Sequence, residues 1–89
     1  MVMAIIRKKI WPEYFNAIQD GSKKFEIRLA DSDIKEGDTL ILEEFDPKKK
    51  EYTGRNMQKK CARVQKMDLA KFWTVEQIKK NGIYVIELG

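Results

Sequence analysis

Apolar and polar positions along this chain alternate in short runs, and the period of each run changes at a proline or a glycine. Residues 4–10 mix Ile5, Ile6 and Ile10 with Arg7, Lys8 and Lys9 and read as a strand. Pro12 suits the first position of a helix and Glu13 its first turn. Tyr14, Phe15 and Ile18 then form one apolar face, and Gly21 follows as a left-handed cap. From Lys24 to Ala30 the period is two: Phe25, Ile27 and Leu29 share one face, and Lys24, Glu26 and Arg28 the other. Gly37-Asp38 turns into a strand over 39–45, and Asp46-Pro47 opens a second turn. A weakly patterned strand follows over 52–66. A second helix over 68–80, capped by Asp68 or Thr74, stops at Asn81-Gly82, and a strand over 83–88 closes the chain. The order β-α-β-β-β-α-β predicts an α+β fold: one domain over residues 1–89, a small barrel of about five strands with two short helices.

Composition narrows the class. Eighty-nine residues make one modest core that buries about 60–65% of the unfolded surface. The apolar opening is broken by Arg7, Lys8 and Lys9, so it is neither a secretory leader nor a membrane span. The lone Cys61 forms no internal disulfide, fits a small buried side chain and points to a reducing cytoplasm. With no histidine, Ser-His-Asp and Cys-His arrangements are excluded, and so is a His/Cys zinc site. The glycines stand singly and form no phosphate-binding loop. Any acid–base chemistry falls to Lys, Glu, Asp or Tyr. No metal and no cofactor is expected, and the chain is expected to be a monomer.

Charge is divided along the chain. Residues 31–46 hold seven acids against Lys35, and residues 47–66 hold eight basic residues against Glu51. The two segments either pair as a hairpin whose charges offset one another, or offer a basic strand and loop to phosphates. Adjacency favours offsetting.

The densest chemistry is Gly21-Ser22-Lys23-Lys24-Phe25-Glu26-Ile27-Arg28. Charges crowded onto one short strand cost free energy unless they pair, face water or hold a ligand. Glu26 and Arg28, two apart, either form an ion pair or present a guanidinium fork and an acceptor to a ligand. Lys23 faces away from Glu26 in a regular strand, so the chain must bend for all three to meet. Lys23 acts as a base only where burial or neighbouring cations favour its neutral amine. Trp11, before the helix, is a packing residue or a stacking platform for a base. Tyr52-Thr53-Gly54-Arg55 is a loop over a ligand or a bulge at Gly54. Phe72 and Trp73, at helical spacing with Leu69, are expected in the core.

These segments, with Ile10-Trp11-Pro12-Glu13-Tyr14-Phe15, Gly37-Asp38-Thr39-Leu40 and the closing Tyr84-Val85-Ile86-Glu87-Leu88, resemble the ASCH family of the PUA-like superfamily. The central motif, G-x-K-x-x-E-x-R, is met by Gly21, Lys23, Glu26 and Arg28. The resemblance implies a PUA-like β-barrel with a cleft beside the first helix, binding RNA or a nucleotide. Some members of that family remove an acetyl group from a modified cytidine, and one group cleaves RNA. In the amidohydrolase branch the motif lysine works with a threonine three residues on, where this chain has Glu26, and with a glutamate from a later helix, where Glu76 is the only one present. The expected function is therefore RNA or nucleotide binding, with Arg28, Trp11, Tyr52 and Arg55 as ligand contacts. The alternative is a hydrolase acting on an N4-acetylated cytidine nucleoside or on RNA, with Lys23 and Glu26 catalytic.

Overall fold

The structure is a computed structural model and describes residues 3–86. Strand β1 (Ile5–Ile10) leads straight into helix α1 (Pro12–Gln19). Pro12 occupies the first turn with Glu13 beside it, and Trp11 stands at the N-cap position without a side-chain capping bond. Gly21, at φ 85°, turns the chain away after the helix. Strands β2 (Thr39–Asp46) and β3 (Glu51–Lys60) follow as a hairpin. Its turn is held by Asp46, whose Oδ1 accepts from the backbone N–H groups of Lys48 (2.9 Å) and Lys49 (3.2 Å).

The sheet has the order β1-β2-β3, with β1 parallel to β2 and β3 antiparallel to it. Helix α1 covers one face. Phe15 and Ile18 pack there on Ile10, Leu40, Leu42 and Cys61, with Ile6, Ile34 and Met57 around them. Phe15 and Leu42 are the most completely buried side chains, each worth about 1.5–3 kcal/mol of transfer free energy. Strand parity follows from this: Leu40, Leu42, Glu44 and Asp46 point to the helix side, and Thr39, Ile41, Glu43 and Phe45 to the other. Asp38 stitches the start of the sheet. Its carboxylate accepts from Ala4 N–H (2.9 Å) and Lys35 N–H (2.8 Å), and its carbonyl accepts from Cys61 N–H (2.7 Å).

The expected five-stranded α+β barrel is not the architecture. The described residues form an open three-stranded sheet with β1 and β3 as free edges, plus two short helices. Residues 24–30 are not a strand; they join no sheet edge, and Glu26 pairs locally with both Lys23 and Arg28. Leu29 is left 82% exposed. The strand expected over 52–66 ends at Lys60. Residues 83–86 pair with nothing, and the rest of the expected closing strand lies outside the described residues. A period of two specifies a face but not a partner, and neither segment finds a sheet edge.

The second helix is real but divided. A 3₁₀ turn (Leu69–Lys71) is capped by Asp68, and α2 (Val75–Asn81) starts with a capping box between Thr74 and Gln77. No residue of either is buried, and Phe72 and Trp73 are exposed rather than in the core. The fold therefore rests on residues 4–61.

Two substitutions test this division. Leu42→Ala should lower unfolding free energy by about 2–5 kcal/mol in denaturant titrations. Leu29→Ala should change it by no more than about 0.5 kcal/mol, as at any exposed site. A large cost at Leu29 would mean that residues 24–30 belong to the packed sheet.

Candidate functional site

Two charged clusters flank α1. The first holds the three motif side chains. After the helix, Ser22 Oγ and Lys23 N–H both donate to the Ala17 carbonyl, at 3.1 and 2.9 Å, which folds the chain back along α1. That return places Lys23 Nζ 4.9 Å from the centre of the Tyr14 ring, within cation–π range, and 5.8 Å from that of Phe25. Glu26 then bridges the two cations. Lys23 Nζ donates to its Oε1 at 2.7 Å, and Arg28 Nε and Nη2 both reach its Oε2 at 2.9 Å. The carboxylate is only 16% exposed and the cations little more, so these charges are partly desolvated. Two cations on one carboxylate leave a local charge of +1. The bend required for the three to meet is present.

The second cluster centres on Glu44, 3% exposed on the helix side of β2. Between the pairs Glu43↔Asn56 and Phe45↔Tyr52, Glu44 faces three residues of β3: Thr53, Gly54 and Arg55. Gly54, at φ 93°, supplies the left-handed backbone of this bulge. The bulge aims two donors at one acid. Thr53 Oγ1 donates to Oε1 at 2.6 Å, and Arg55 Nε and Nη2 donate to Oε1 and Oε2 at 2.9 and 2.6 Å. Arg55 also donates to Asn16 Oδ1 at 2.9 Å and lies 4.5 Å over the Phe15 ring. First Arg55 and then Thr53 hold the Glu44 carboxyl below the usual carboxylate range, against the opposing effect of burial.

The structure thus separates the predicted residues. Lys23, Glu26 and Arg28 form one group, while Arg55 is engaged by Glu44 and its loop is a bulge. Trp11 is half exposed, its ring stacked on Tyr14 at 6.4 Å, and it borders a shallow concavity of about 310 Å³ with Pro12, Pro47 and Lys48. Tyr52 lies on the opposite face of the sheet, edge-on to Phe45 at 5.2 Å. A second open concavity, of about 450 Å³, lies between α2 and Tyr84; the motif side chains line neither. Glu44, Thr53 and Asn16 were missed as a unit. The one signal for them was an acid inside an otherwise apolar strand, opposite a Thr-Gly-Arg triplet. Burial and the charge of Asp38 raise the Cys61 thiol above its ordinary value, the state of an unreactive thiol. Among the described residues no helix is long and apolar enough to cross a membrane.

A family model described as "Domain of unknown function (DUF3850)" matches residues 7–78, from β1 through most of α2. The chain belongs to the DUF3850 family. No curated protein matches it. Both charged clusters lie inside the span shared with the DUF3850 model.

The Glu44 centre has a pH signature. A carboxyl whose folded pKa is depressed stabilises the fold above its unfolded value, about 4.3, and that contribution is lost as pH falls through the lower folded value. Glu44→Gln should therefore lower Tm at neutral pH and shrink the fall in Tm on acidification. Thermal melts across the acid range, wild type against variant, measure both. An unchanged acid limb would show that Glu44 does not carry this linkage.

Proposed function

We propose that this DUF3850 domain binds RNA or a nucleotide, with Lys23, Glu26 and Arg28 as the recognition group. The observation that supports it most is the Glu26 bridge. One part-buried carboxylate holds an ammonium and a guanidinium side by side, next to the Tyr14 ring. Such an arrangement fixes the orientation of two long side chains that would otherwise move freely, and a net positive, partly desolvated pair suits an anion. Arg28 directs Nε and Nη2 at Glu26 and keeps further N–H groups for a phosphate or a base edge. The Tyr14 and Trp11 rings provide an exposed aromatic surface beside it, of the kind that stacks bases. The likeness of the G-x-K-x-x-E-x-R motif to that of ASCH proteins points the same way. The reading is of binding rather than turnover, since the hydrogen-bond partner of Lys23 is Glu26 and the threonine of the amidohydrolase motif is absent.

Calorimetric titration with cytidine 5′-monophosphate and with single-stranded RNA tests the site. Arg28→Lys should weaken affinity about ten-fold, because a point charge cannot reproduce the fork. Glu26→Gln should weaken it similarly while the fold persists. In an ion-pair cluster without a ligand, either substitution would shift stability by ~0–1 kcal/mol and leave binding untouched. That outcome, or turnover of N4-acetylcytidine that is lost in Lys23→Ala, would replace the proposal.

A further inference from the structure

The hairpin of β2 and β3 joins the acidic and basic segments, yet their charges do not cancel across it. Among the described residues, Arg55–Glu44 is the one ion pair between residues 31–46 and 47–66. Five of the other six acids are engaged elsewhere. Asp38 and Asp46 accept backbone N–H groups, Asp31 pairs with Lys8, Asp33 with Lys35, and Glu43 with Arg7. Directly across the strands, Asp46 even faces Glu51, like charge against like. Lys48, Lys49, Lys50, Lys59, Lys60, Arg63 and Lys66 form no ion pair within the described residues.

Strand parity then sorts what remains. Glu44, Asp46 and Glu51 point to the helix side. The opposite face carries Arg7, Lys9 and Lys60 against Glu43 alone, while Lys48 of the turn borders the concavity beside α1. At the middle of that face Ile41 is buried between Arg7 and Gln58, and its turn end is aromatic. Tyr52, 52% exposed, meets Phe45 edge-on, and Lys9 Nζ lies 4.4 Å from the Phe45 centroid and 5.6 Å from that of Tyr52. Asn56 and Gln58 follow on the same face of β3, both exposed.

We propose that this helix-free face is a docking surface for single-stranded nucleic acid running along β3. Tyr52 stacks a base, Asn56 and Gln58 meet base edges, and Lys9 and Lys60 hold phosphates. Bulged at Gly54 and paired end to end with the eight residues of β2, β3 runs about 23 Å, room for a few nucleotides. Exposed amides between the cations favour a strand with base edges to read over an anionic membrane, which offers none. The proposal rests on the nucleotide-binding reading above but uses different side chains. The motif cluster lies on the helix side of the sheet, so the two fail separately.

Fluorescence anisotropy of labelled oligouridylate, titrated at two salt concentrations, reads the effect. Lys9→Gln with Lys60→Gln should lower the log–log salt slope by about 1.4, at about 0.7 per phosphate on a single strand. Tyr52→Ala should weaken binding about ten-fold, and Tyr52→Phe should not. Where Tyr52→Ala lowers Tm, the exposed pair Asn56→Ala with Gln58→Ala serves instead, with several-fold weakening expected. Wild type that binds no RNA overturns this proposal and removes the RNA arm of the motif reading. Binding weakened by Arg28→Lys but unaffected by the sheet variants overturns the sheet face alone. Binding weakened by the sheet variants but not by Arg28→Lys upholds it. Phosphatidylserine vesicles bound through Lys9 and Lys60, with RNA binding unaltered in the double variant, would assign the face to a membrane and overturn it.

Discussion

Everything on the helix side of this sheet is arranged around a carboxylate that would be costly if left alone. Glu44 is buried, and an unpaired buried charge is among the more destabilising features a small domain can hold. The chain answers with a bidentate guanidinium, a hydroxyl and a bulge that brings both to the same acid. Arg55 cannot serve Glu44 without also covering Phe15 and reaching Asn16, so neutralising the charge fixes where α1 sits. The break in the hairpin's ladder brings both donors to this one charge, and the same guanidinium ties the hairpin to the helix that the apolar core docks.

That arrangement engages Arg55 with Glu44, and apart from it stand two surfaces with different chemistry. The Glu26 group is small, part-buried and beside an aromatic side chain, a geometry for a single anionic moiety. The far face of the sheet is extended and shallow, a geometry for a polymer. The two complement each other only if the ligand has both a distinctive unit and a chain. A nucleotide within a strand, the ligand proposed here, has both.

Much of the sheet could be read in advance, because its signals were local. Pro12, Gly21, Asp46-Pro47 and Thr74 each dictate a backbone event within a few residues, and each occurs where expected. The barrel could not be read, because closure depends on which strands pair, and alternation carries no information about partners. Phe25, Ile27 and Leu29 alternate as well as any strand in the chain, but the segment pairs with neither edge of the β1-β2-β3 sheet. Lys23, Glu26 and Arg28 were legible as a group since all lie within six residues. The Glu44 centre was not, because Asn16 and Arg55 are 39 positions apart and meet only once α1, β2 and β3 are assembled. The charge balance misled for a related reason: totals along a segment say nothing of which face each side chain occupies.

Asp38 carries one further implication. Its side chain grips Ala4, its carbonyl grips Cys61, and Thr39 N–H returns to the Ala4 carbonyl at 2.9 Å, so the first and last residues of the packed unit are fastened to one another at a single point. A closed ring of hydrogen bonds of this kind makes the unit topologically complete at Cys61. Residues 62–86 add no buried side chain to that unit, so the core makes few demands on them even though the DUF3850 match runs on to residue 78.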